Sequence, residues 1–239
     1  MEQKKYCVSC DRLINTALSE EVKKLDITTR MNWCDKCESS KQLMIHFFNG
    51  SSDFLKFKHI LITDPGVNPN VLTSSGDNFL HFCCTGNLPF RSVLIEPLLA
   101  HPKIDVNALN SRGFTPLALA CQTENHLIVE LLLSDERVDA SITNNMSASP
   151  LWLACQSRSL KNVKLLTRSG KDLGDLYSKV GKGMHADRYH NVFEIAEFQE
   201  ETEIMLLLAQ YEKVAHFYEK GSTGSEVFGV SCEYRSVQN

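Results

Sequence analysis

Residues 113–122 read GFTPLALACQ, and residues 147–156, 34 positions later, read SASPLWLACQ. Pro-Leu-x-Leu-Ala-Cys-Gln occurs twice at a fixed interval, so the chain is read for repeats before anything else. Behind the first anchor lies the apolar run Ile128–Leu133, and behind the second lies Asn162–Thr167. Each unit therefore predicts a short apolar helix, a turn, and a second helix with apolar residues at i, i+3 and i+4. The segments after the second helices also align. Ile104-Asp105-Val106-Asn107 precedes Val138-Asp139-Ala140-Ser141 by 34 residues.

This pattern resembles the ankyrin repeat, a unit of about 33 residues built as a β-turn and two helices around a T-P-L-H-x-A core. The likeness is strongest over residues 110–140. Gly113, Thr115, Pro116, Leu117, Ala120, Ile128, Val129, Leu132 and Leu133 all fall on family positions. Each has a physical role there. Pro116 suits a first helical turn, where its missing N–H costs nothing. Thr115 can cap that helix with its hydroxyl. Gly113 permits a positive φ in the turn. Ala120 allows close approach of neighbouring helices.

Further copies are more degenerate. Ser74–Asn87 supplies Gly76, Leu80 and the motif histidine, His81, with its second helix three residues late. Upstream, Val67-Asn68-Pro69-Asn70 closes a copy that lacks Thr-Pro. Downstream, Asn191–Gln210 places Phe193, Ala196, Ile204, Met205 and Leu208 in the expected slots. The expected fold is an all-α solenoid of about five helix-turn-helix repeats over residues 41–220. Cys84, Cys121 and Cys155 share one position in three copies and read as small apolar core residues. No basic neighbour in sequence would activate them.

The resemblance implies a non-catalytic scaffold that binds protein partners through turn tips and the exposed side of the first helices. Transferred to this chain, the tip positions are Ser111, Arg112 and Phe114, then Asn145, Met146 and Ala148. The helix positions are Gln122 and Thr123, then Gln156 and Ser157. Phe114 and Met146 are the candidate anchors on this ridge, unless they fold back onto their turns. Ala118 and Trp152 hold the slot where the family often has histidine, and Trp152 is expected to be packed.

The first 40 residues read differently. Cys7-x-x-Cys10 and Cys34-x-x-Cys37 are separated by 23 residues. Two such pairs in a reducing compartment match a tetrahedral four-cysteine zinc site. A redox reading would need a βαβ context that is absent. A two-ion ubiquitin-ligase finger would need eight ligands. His46 and His59 lie in the next repeat and read as packed or solvated. Residues 1–41 carry eight basic and seven acidic side chains, so no phosphate-binding stripe results. The expectation is one structural Zn2+, in a module that caps the first repeat. The alternative is an adaptor whose finger is the main docking head.

Between the fourth and fifth units, residues 168–191 hold an insertion rich in glycine, lysine, arginine and histidine. Insertions in repeat proteins map to loops on one face, so this one reads as a solvated loop or a partner-contacting finger. Its Gly-Lys-Gly lacks the G-x-x-x-x-G-K-S/T pattern of a phosphate loop. Residues 221–239 are small, polar and aperiodic, and predict a disordered tail.

The remaining classes lose ground on composition. A net charge of −4 carries no nucleic-acid signature. No run approaches the length of a membrane helix, and the N-terminus shows no secretory pattern. The expected location is intracellular, cytoplasmic or nuclear, in a host cell if the source is viral or bacterial. No nucleophile elbow, HExxH or dinucleotide turn supports an enzyme or a small-molecule substrate. An unrecognised hydrolase or transferase is the third reading.

Overall fold

The computed structural model describes residues 38–48, 53–64, 66–73, 75–85, 89–123, 125–178, 180–182 and 189–219. Cys7, Cys10, Cys34 and Cys37, and the 221–239 tail, lie outside the described residues.

Among the described residues the chain forms ten helices in five antiparallel pairs. They are α1 (Glu38–Phe48) and α2 (Phe54–Thr63), α3 (Phe79–Cys84) and α4 (Pro89–Leu99), α5 (Pro116–Gln122) and α6 (His126–Ser134), α7 (Pro150–Gln156) and α8 (Leu160–Arg168), and α9 (Val192–Phe198) and α10 (Thr202–Glu219). From the second pair on, each first helix packs on the next first helix, and the second helices form a parallel outer row. Every pair thus touches mainly its neighbours, which is the architecture of a solenoid. One departure from the all-helical expectation is a short antiparallel ribbon. Strands β1 (Val180–Lys182) and β2 (Tyr189–His190) lie in the insertion that the sequence presents as a loop.

Local chemistry fixes where the first helices begin. The Thr115 hydroxyl accepts the Ala118 amide and Pro116 opens α5. Ser149 and Pro150 do the same for α7, with Ser149 accepting the Trp152 amide. Where Pro is missing, a capping box replaces it: Asn78 with His81 for α3, and Asn191 with Glu194 for α9. Both devices satisfy amides that a helix start leaves bare.

The core follows the repeat. Leu80, Leu117 and Leu151 are buried at equivalent positions, as are Cys84, Cys121 and Cys155. Burial pushes all three thiols well above their ordinary range. They are packed as small apolar groups and hold little nucleophilic thiolate. In the fifth pair Ala196, Ile204 and Leu208 are buried, whereas Met205 is partly exposed.

Side-chain bonds lock one repeat to the next. Asn70 Oδ1 accepts the Asp105 amide at 2.8 Å, and its Nδ2 donates to the Lys103 carbonyl. Asn107 does the same one repeat later, toward Asp139 and Arg137. The next equivalent is Ser141, which cannot reach across. There Lys171 takes over, its Nζ donating to the carbonyls of Asp135 at 3.0 Å and Val138 at 2.9 Å.

Candidate functional site

Three turns of one geometry project from the stack. In each, the first residue bonds the fifth: Thr73 N to Asp77 O, Asn110 N to Phe114 O, and Asn144 N to Ala148 O. The fourth residue has a positive φ: Gly76 at 75°, Gly113 at 75°, and Ser147 at 60°. A Cβ on Gly113 would sit 2.7 Å from the Asn145 backbone nitrogen, so the close approach of the next turn also demands glycine. Asn110 stiffens its turn by accepting the amides of Arg112 and Phe114, each at 3.0 Å. Asn144 accepts those of Met146 and Ala148 in the same way.

Backbone bonds join the turns into a ladder. Ser111 N donates to Ser75 O at 2.9 Å, and Asn145 N donates to Arg112 O at 3.1 Å. The Ser111 hydroxyl adds a second bond to Ser75 O, and Asn145 Nδ2 donates to Ser111 O. The ladder holds the tips at fixed separations and aims the remaining side chains outward.

Of the ten positions expected to face a partner, the structure leaves some exposed and removes others. Ser111, Arg112, Asn145 and Met146 are exposed, Met146 by 52%. Gln122 and Gln156 are half-buried at the ends of the first helices. Phe114 is 2% exposed and is not a surface residue. It closes its turn and folds inward, and the Arg112 guanidinium lies 5.1 Å from its ring centroid. Ala148, at the equivalent position, is fully buried. Thr123 and Ser157 are spent within the stack, donating to the carbonyls of Cys84 and Cys121 in the preceding repeats.

Two further exposed residues stand on this ridge at positions the family pattern does not single out. Leu72 and Leu109 stand immediately before their turns, 39% and 52% exposed. Thr143 holds the same place in the third turn and is also exposed. The signal was present, since the position recurs with the turn, but apolar identity there reads as core.

The motif histidine is structural. His81 is buried, Nδ1 accepts the Asn78 amide at 3.1 Å, and Nε2 faces the Phe114 carbonyl at 2.9 Å. Burial holds its pKa below the ordinary imidazole value. Trp152 occupies the same slot two repeats on, is 1% exposed, and donates Nε1–H to the His190 carbonyl at 3.0 Å.

Among the described residues no group of His, Cys, Asp and Glu is arranged to hold a metal. None of the described helices is long and apolar enough to cross a membrane.

A family model of ankyrin repeats, three copies long, matches residues 42–142 and again residues 92–176. No curated protein matches the chain. The two matches cover more than half of its 239 residues, and the chain belongs to the ankyrin-repeat family.

Proposed function

We propose that this protein is a non-catalytic adaptor that binds a protein partner across its turn tips and adjoining first-helix surfaces. Ankyrin repeats form protein-interaction scaffolds, and the tip ladder is the observation that carries this reading. Its backbone groups are bonded from turn to turn, so the tips form a rigid comb. Arg112 and Met146 stand exposed on it, Asn145 is exposed but bonds back to Ser111, and Gln122 and Gln156 flank them. A long cation and an apolar side chain on a pre-organised support suit a binding hot spot. A photo-crosslinking residue replacing Met146 should capture a partner from cell extract. The same residue replacing Val93, exposed on α4, should not. Equal capture at both positions would remove the tip assignment.

The proposal includes one structural Zn2+ on Cys7, Cys10, Cys34 and Cys37, in a module that caps the first repeat. Its support is the spacing of the two pairs, which lets four thiolates close a tetrahedron.

A further inference from the structure

The α9–α10 hairpin carries a second face unlike the tips. Equivalent turn bonds set its register against the earlier pairs. Asn125 N bonds Ala120 O, Ser159 N bonds Ala154 O, and Glu201 N bonds Ala196 O. In this register Met205 corresponds to Val129 and Val163. Both valines are fully buried, whereas Met205 is 37% exposed. Phe198 corresponds to Gln122 and Gln156, and is 49% exposed. Leu206 is 66% exposed, and Ala209 one turn beyond Met205 is exposed as well. The hairpin thus shows water an apolar stripe where the earlier pairs are buried or polar.

The same hairpin carries exposed acidic residues around its turn. Glu197 is exposed in the slot that Cys121 and Cys155 fill as buried thiols. Glu200 and Glu203 are exposed at the turn and at the start of α10. Of the cations on the preceding pair, Arg158 is engaged within the protein, while Lys161 is exposed and Lys164 half-buried on α8 at the positions that correspond to Glu203 and Leu206. Arg158 Nε donates to Gln199 Oε1 at 2.6 Å and lies 4.0 Å from Glu201 Oε1. Lys213 is exposed farther along α10. A second copy of this face, or any acidic partner, would bring like charges together as the stripe closed.

We propose that this face docks a basic amphipathic helix of a partner protein. The partner's apolar side would lie along Phe198, Met205 and Leu206, as amphipathic helices lie in apolar grooves. Its lysines and arginines would meet Glu197, Glu200 and Glu203.

The test uses the full chain and two labelled helical peptides, one of leucine and lysine and one of leucine and glutamate. Anisotropy titrations should show binding of the lysine peptide, weaker at high salt, and none of the glutamate peptide. Phe198→Ser with Leu206→Ser should weaken it about tenfold or more, and so should Glu200→Lys with Glu203→Lys. Unchanged urea midpoints would show that these surface variants still fold. Met146→Ser should bind the lysine peptide normally, which separates this face from the tips. Equal binding of both peptides, or undiminished binding by the Phe198/Leu206 variant, would overturn the proposal. So would a dimer of the free chain that Leu206→Ser dissolves.

Discussion

Trp152 and His190 are joined by the same bond that joins His81 and Phe114. In each pair a ring N–H of the first helix meets the carbonyl preceding the next first-helix cap, at 3.0 Å for Trp152 and 2.9 Å for His81. The two rings differ in size and shape, yet both span from one repeat to the next. The tryptophan therefore conserves the geometry of the motif while departing from its sequence, and it seats the insertion's β2 against α7.

Trp152→Phe should separate that bond from packing. The phenyl ring keeps most of the buried surface but leaves the His190 carbonyl without its donor. The expected cost is about 1–2 kcal/mol, against about 3–5 kcal/mol for Trp152→Ala. Urea midpoints with unchanged slopes would measure both. A Phe variant as stable as the parent would show that the bond contributes nothing.

His81 makes stability depend on pH. Burial lowers its folded-state pKa, so the folded chain holds the ring neutral while the unfolded chain binds a proton below about pH 6.5. The contribution is complete above that value and is lost as pH falls through it. His101, also lowered by burial and by Lys103, acts in the same direction. The urea midpoint should drop between pH 7.5 and 5.5, and His81→Gln should flatten the drop. A midpoint that rises on acidification would mean that Asn78 Oδ1 and the Phe114 carbonyl hold the imidazolium instead.

Phe114 and Met146 should respond to serine in opposite ways. Phe114 is buried under Arg112, so Phe114→Ser should destabilise the stack by about 3–5 kcal/mol, as core truncations do. Met146 is half exposed, so Met146→Ser should change stability by about 0.5 kcal/mol or less. Thermal or urea unfolding decides it. Equal losses would mean that Met146 also packs against the stack.

That contrast marks how much was legible in the sequence. The helix starts were, because Thr115-Pro116 and Ser149-Pro150 act through bonds within a single turn. The buried leucines and cysteines were, because the 34-residue interval overlays them. The direction of Phe114 was not, since an aromatic at a turn's last position can face out or fold under a neighbour such as Arg112. Lys171 was invisible for a related reason. Its carbonyl partners, Asp135, Glu136 and Val138, belong to the preceding repeat, 33 to 36 residues away. The ribbon between Val180 and His190 carried no alternating apolar pattern by which to recognise it.

The metal proposal has its own outcome. Native mass spectrometry should find one zinc per chain, and Cys10→Ser should release it. Structural zinc contributes on the order of 10 kcal/mol to small zinc domains, so the variant should also lose protease resistance near the N-terminus. An intact metal-free chain, or a disulfide among Cys7, Cys10, Cys34 and Cys37, would contradict the assignment.

Binding at the tips is tested in cells by comparing the chain with a variant of its two exposed tip side chains. The chain and its Arg112→Ala/Met146→Ser variant would be fused to a proximity-labelling enzyme and expressed at equal levels, with unfolding midpoints confirmed equal. Loss of two hot-spot side chains should weaken partner binding by about 2 kcal/mol or more, roughly thirtyfold in affinity. Proteins labelled by the parent chain should fall to background with the variant. Unchanged labelling by a folded variant would contradict binding at the tips.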